Sequence, residues 1–228
     1  MIRFLALLLL AVAAPLHAAD GKRNFTITSF DRIRVEAPFD VSVTTGKPPS
    51  ARAEGSTAAL DTVDLRVEGR TLIVRQRSGW NGAGKGVPVR ITLGTPDLKT
   101  ANLLGSGRLV VDRMRGLSVN LALAGPGQLK VADLRADSLD LLAGGSGSVV
   151  LAGATKVARL ATEGRVVLDA AALTSDELVL VANGNSEVSA SPRRTANITA
   201  SGATTVALQS PVACMQRVTG AATVSGCR

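Results

Sequence analysis

Leu103-Leu104-Gly105-Ser106-Gly107-Arg108-Leu109-Val110-Val111 sets a glycine turn between two apolar runs. The arrangement returns as Leu123-Ala124-Gly125-Pro126-Gly127-Gln128-Leu129-Lys130-Val131, and again as Ala143-Gly144-Gly145-Ser146-Gly147-Ser148-Val149-Val150-Leu151. Reduced copies centre on Gly164, Gly184, Gly202 and Gly220, and successive first glycines stand 20, 20, 19, 20, 18 and 18 residues apart. Self-similarity at a nearly fixed period is the signature of a stacked architecture.

Each period holds two strand-like runs. Leu117–Leu123 precedes Gly125, Leu139–Leu142 precedes Gly145, Leu178–Val181 precedes Gly184 and Ile198–Ala200 precedes Gly202. Val166–Leu168, Val188, Val206–Leu208 and Val224 follow their glycines. Five strand residues span roughly 17 Å at about 3.3 Å each, so one period is one coil of a β-solenoid. Leu, Val and Ala point inward, while Asp, Ser, Arg and Thr alternate outward. A sharp turn between runs often demands φ > 0, which glycine alone enters cheaply. Gly105, Gly107, Gly125, Gly127, Gly145, Gly147, Gly164, Gly184, Gly202 and Gly220 are therefore read as structural corners. Evenly spaced short strands also suit a β-sandwich, the competing fold. The near-constant period favours stacking.

Upstream of the ladder the strands are less regular. Asp20–Asn24 reads as a polar lead-in, and Phe25–Thr28, Ile33–Glu36 and Phe39–Thr44 alternate as half-buried strands. Gly46-Lys47-Pro48-Pro49 is a turn, and Ser50–Glu54 a short strand. Ser56 caps one helical turn reaching Leu60. Val63–Glu68, Gly69-Arg70 and Thr71–Arg75 form a hairpin. Ser78–Gly86 carries four glycines in nine residues and is an excursion from the sheet, and Val87–Leu93 resumes a strand.

The N-terminus reads Met1-Ile2-Arg3, an apolar run from Phe4 to Ala14, then Pro15-Leu16-His17-Ala18-Ala19. This is the pattern of a secretory signal peptide cleaved near Ala18 or Ala19. The run is short for a membrane anchor, which needs about 20 residues. No later stretch reads as a transmembrane helix. Residues 20–228 then form one domain of 209 residues, with 25 basic and 18 acidic side chains, no histidine and no tyrosine. The net charge of +7 is scattered, and the glycine-repeat half has no aromatic residue. Nucleic-acid binders cluster charge and interleave aromatics, so a nucleic-acid partner is not expected. A solvated surface, or attraction to anionic envelope polymers, fits better. Cys214 and Cys227, the only cysteines, are expected to form a disulfide in an exported protein.

The order of these features resembles a known family. A strand run around Phe30–Val43, a hairpin like Val63–Val74 and Gly-Ser-Gly-flanked repeats to the end together look like the GIN domain, the head domain of putative auto-transporter adhesins. The resemblance spans roughly Phe30 to Cys227. It implies a β-helix-like fold and an exported location, and brings no catalytic residue, cofactor or metal. A full autotransporter carries a membrane β-barrel of about eight or more strands. This sequence reads instead as a free periplasmic, secreted or surface protein.

Catalytic constellations are sparse. Without histidine, no Ser-His-Asp or Cys-His arrangement exists. Asp133 with Asp137, and Asp176 with Glu177, are the carboxylate pairs, and the alternative reading is a carbohydrate-active β-helix enzyme using such a pair. Asp112, Asp140, Glu163, Asp169 and Glu187 are scattered. No calcium loop appears. Gly105-Ser106-Gly107 lacks the context of a phosphate loop. Trp80, with Lys85 nearby, is the candidate for stacking on a sugar and meeting an anionic group. Arg108, Arg113 and Arg115, and the pair Arg193-Arg194, are candidate basic spots. The expected function is a non-enzymatic binding or structural module whose partner is an envelope protein or an anionic polysaccharide. The strands before residue 95 are expected to cover one end of the stack and the Cys214–Cys227 bridge to close the other.

Overall fold

A computed structural model describes residues 20–77 and 89–228. The chain forms a β-solenoid of about six turns. Among the described residues fifteen strands and one helical turn follow in order: β1 (Asp20–Phe25), β2 (Arg32–Val35), β3 (Asp40–Thr45), β4 (Ser50–Ser56), α1 (Thr57–Leu60), β5 (Val63–Glu68), β6 (Thr71–Gln76), β7 (Arg90–Thr95) and β8 (Thr100–Leu104). Then come the coils, β9 (Arg108–Gly125), β10 (Gln128–Gly145), β11 (Ser148–Gly164), β12 (Val167–Gly184), β13 (Glu187–Gly202) and β14 (Thr205–Val218), closed by β15 (Thr223–Cys227).

Successive coils pair in parallel, one period apart, so equivalent residues stack into columns. On the first run of each coil, Val41, Leu109, Leu129, Val149, Leu168, Val188 and Val206 form one buried column. On the second run, Leu72, Ile33, Ala101, Leu121, Leu141, Leu160, Leu180 and Ile198 form another. Each buried Val, Leu or Ile contributes about 1.5–3 kcal/mol of hydrophobic stabilisation. Coils that cannot bury an apolar face alone bury it against their neighbours. The second column ends where Ile198 meets the exposed Gln216 of β14.

The strands before residue 95, joined on the second run by β8, cover one end by prolonging both runs. On the first run, β3 and β7 lie parallel to β9, and then β4 and β1 turn antiparallel. On the second run, β8, β2 and β6 are parallel and β5 closes the edge antiparallel. Asp20–Asn24, read as a lead-in, is thus the body of β1. Its face alternates between half-buried and exposed residues without an apolar period, which is why composition hid it. The edge hairpin β5–β6 turns at Gly69, whose φ is +61°. Ser56 caps α1, its hydroxyl accepting from the Ala59 amide at 3.3 Å. At the far end a disulfide joins Cys214 to Cys227, with Cα atoms 5.4 Å apart. No helix among the described residues is long and apolar enough to cross a membrane.

Candidate functional site

Each coil turns twice, and the two turns differ. At the glycine corner, Gly105, Gly125, Gly145, Gly164, Gly184, Gly202 and Gly220 all take positive φ, from +117° down to +75°. The second glycines have a different reason to be glycine. A Cβ on Gly127 or Gly147 would press within 2.8 Å of the leucine one coil back, Leu103 or Leu123, and against backbone carbonyls. At the fourth, fifth and sixth corners this position becomes Val166, Ser186 and Thr204, all buried. The Ser186 hydroxyl returns a hydrogen bond to Gly164 O at 3.2 Å. The amides after the glycines are taken by the preceding corner. Ser146 N, Arg165 N, Asn185 N, Ala203 N and Ala221 N donate to Gly125 O, Gly145 O, Gly164 O, Gly184 O and Gly202 O at 2.7–3.3 Å. These donors are not free to cradle an anion.

The opposite bend is irregular. Pairing slips between Val131 and Leu134, between Val150 and Ala152, and between Ala170 and Thr174. Gly153 absorbs one slip with φ +129°, and a Cβ there would overlap the Leu134 carbonyl. The slips open a groove of about 730 Å³ that crosses the coils. Its floor is a column of small residues, Gly116, Ala136, Thr155 and Ser175. The Thr155 hydroxyl lies 3.3 and 3.2 Å from the Asp137 and Val157 carbonyls. Ser175 is 4% exposed and is the deepest of the four.

Charge lines both rims. Asp133 faces three guanidinium groups: Arg135 Nε at 3.1 Å, Arg115 Nη2 at 3.5 Å and Arg113 Nε at 3.9 Å. The hydrogen bond from Arg135 outweighs the upward push of partial burial and, with the Arg115 charge, holds the carboxyl below its ordinary pKa. On the other rim, Lys156 Nζ lies 2.8 Å from Asp137 Oδ1, and that contact raises the ammonium pKa. Asp176 and then Arg193 follow on the next coils along the same rim. Arg193 has no ion-pair partner among the described residues.

The sequence candidates distribute unevenly. Trp80 and Lys85 lie outside the described residues. Asp133 and Asp137 both line the groove, yet each is engaged by cations. A general acid of a glycosidase needs a raised pKa, and Asp133 is displaced the other way. Asp176 lines the groove, whereas Glu177 belongs to a shallow depression near Met215. The arginine trio splits: Arg113 and Arg115 reach Asp133, while Arg108 donates to Gln128 Oε1 at 2.9 and 3.1 Å. Asp112 ties β9 to β3 by accepting from the Thr45 amide at 2.9 Å. Among the described residues no cluster of three or more His, Cys, Asp or Glu side chains could hold a metal. Sequence reasoning missed Arg135, Gly153, Lys156 and Ser175. Counting eight residues back from the next glycine corner aligns Asp137, Lys156 and Asp176, with Arg193 one position further back.

A family model described as "putative auto-transporter adhesin, head GIN domain" matches residues 29–209. Solved structures show the same fold. A putative adhesin from Bacteroides fragilis superposes with a TM-score of 0.80 at 16% identity, covering 90% of this chain and 96% of that one. A putative adhesin from Parabacteroides merdae gives 0.69 at 19% identity, with 90% and 95% covered. A putative lipid binding protein from Parabacteroides distasonis gives 0.66 at 16% identity, also with 90% and 95% covered. Among curated proteins none matches.

Proposed function

This chain belongs to the putative auto-transporter adhesin head GIN domain family, and we propose from that premise that it is an exported, non-enzymatic binding module of the cell envelope. The observation that carries the reading is the groove at the irregular bend. It is open, crosses several coils and is lined by side chains of both signs, and two of its carboxylates, Asp133 and Asp137, are engaged by cations. A rigid stack presents such a surface without rearranging, which lowers the entropy cost of binding an extended partner. The disulfide suits an oxidising compartment, and Met1–Ala19 reads as the export signal. The partner is an envelope protein or an anionic polysaccharide, met in the periplasm or outside the cell.

Two measurements test this reading. Expressed with a C-terminal tag, the protein is expected in the periplasmic or extracellular fraction, with its N-terminus just after Ala18 or Ala19. Retention in the cytoplasm with Met1 intact contradicts export. The purified protein is expected to bind isolated cell envelopes saturably and without releasing sugar. Release of reducing ends in the same incubation would replace the reading with a carbohydrate-active enzyme.

A further inference from the structure

The groove has a spacing as well as a charge. Strands in adjacent coils stand about 4.8 Å apart. Along the rim the residues run Asp137, Lys156, Asp176, Arg193, one per coil from β10 to β13. The sign alternates, so cations recur every second coil, about 9.6 Å apart at that strand spacing. This is comparable with the length of one extended disaccharide. On the facing rim stand Asp133 and Arg135, whose Nε lies 3.1 Å from the carboxylate. Between the rims the floor of Gly116, Ala136, Thr155 and Ser175 is too small-sided to obstruct a flat ring.

We propose that this groove seats an extended acidic polysaccharide whose carboxylates recur on alternate sugars. Lys156 and Arg193 receive successive carboxylates. Asp137 and Asp176 meet sugar hydroxyls between them. Lys156 exchanges Asp137 for the ligand at little expense, because its side chain is 68% exposed and exposed ion pairs contribute little. Arg135 adds a bidentate-capable guanidinium from the facing rim. This inference rests on the binding-module reading above and names its ligand class and site.

The test uses the full protein and three probes: an alternating glucuronate–N-acetylglucosamine polymer, its carboxyl-reduced neutral form, and inorganic polyphosphate. Wild type is compared with the double variant Lys156→Gln/Arg193→Gln and with Lys22→Gln/Arg52→Gln, which removes the same charge from the exposed edge strands. The groove variant is expected to lose about tenfold or more in affinity for the acidic polymer, as losing two charge-assisted contacts implies. The edge variant is expected to change it by less than about twofold, and the neutral polymer to bind far more weakly. Circular dichroism confirms that both variants fold. Equal losses in both variants, or polyphosphate binding as tightly as the uronate polymer, would reduce the effect to net charge and overturn the assignment. Envelope binding that survives in the groove variant and after stripping of acidic glycans would overturn the groove and leave the binding-module reading intact. Wild type that binds neither polymer nor envelopes would remove both.

Discussion

The two turns of each coil solve the same geometric problem in different ways. The glycine corner repeats one solution, a positive-φ glycine in every coil, and at five of the seven corners the next amide is handed to the coil before. The opposite bend solves it differently from coil to coil, by register slips, a lone Gly153 and charged side chains at its surface. A repeated solution spends its polar groups on the stack. A varied one leaves side chains directed at solvent, and there the molecule has room for a partner. The repeated turn thus serves the stack, and the proposed binding groove lies on the other bend of the same coil.

The largest expected effect comes from disturbing the repeated turn. A Cβ at Gly147 would overlap the Gly127 carbonyl oxygen and come within 2.8 Å of Leu123 Cδ2. Gly147→Ala is expected to destabilise by about 3 kcal/mol or more, since core overpacking alone costs about 1–3 kcal/mol and rigid backbone cannot step aside. The same substitution at Gly116, on the varied bend, meets nothing nearer than Ser118 O at 3.6 Å. There the change should stay within about 0.5 kcal/mol. Denaturant titration of the two variants reads the contrast directly, and similar losses in both would erase the distinction between the turns.

Next in size is the staple at the end of the stack. Replacing Cys214 and Cys227 with alanine frees a link across 13 positions. It should reduce stability by about 2–3 kcal/mol on the chain-entropy model, with the far-ultraviolet spectrum unchanged. An unchanged melting temperature would show that β14 and β15 hold the end without it.

A smaller effect belongs to the charged bend. The Asp133 carboxyl titrates below its ordinary value because Arg135 and Arg115 favour the anion. A depressed folded-state pKa contributes stability that is complete above the unfolded value of about 3.9 and lost as pH falls through the folded one. Between about pH 5 and pH 2, wild type should therefore lose more stability than Asp133→Asn. Asp64, held low by hydrogen bonds from Arg75 and Arg66 that outweigh its desolvation, acts equally in both proteins and cancels. Parallel acid profiles for the two would detach Asp133 from its arginines.

What could be seen in the sequence follows the same division. The glycine period, the β5–β6 hairpin, the Ser56 cap and the Cys214–Cys227 pair depend on local chemistry or on exact repetition, and each was visible. β1 was hidden because an edge strand buries only half of one face, so its polar residues show no apolar alternation. Gly153 was hidden because it sits off the glycine ladder and serves a slip between coils that only stacking creates. The groove was hidden for the same reason. Asp137, Lys156, Asp176 and Arg193 read singly as solvated turn residues; the period lines up the first three, and the groove beside them shows only once the coils are stacked.

The central claim, that partner binding belongs to the varied bend and not to the glycine corners, is tested most directly by amide chemical-shift mapping on the labelled protein during titration with the alternating uronate polymer. Shifts concentrated at residues 133–137, 153–156, 174–176 and 191–194, with the seven corner glycines unmoved, are the predicted result. Shifts centred on Gly105, Gly125 and Gly145, or spread evenly over every basic surface, would contradict it.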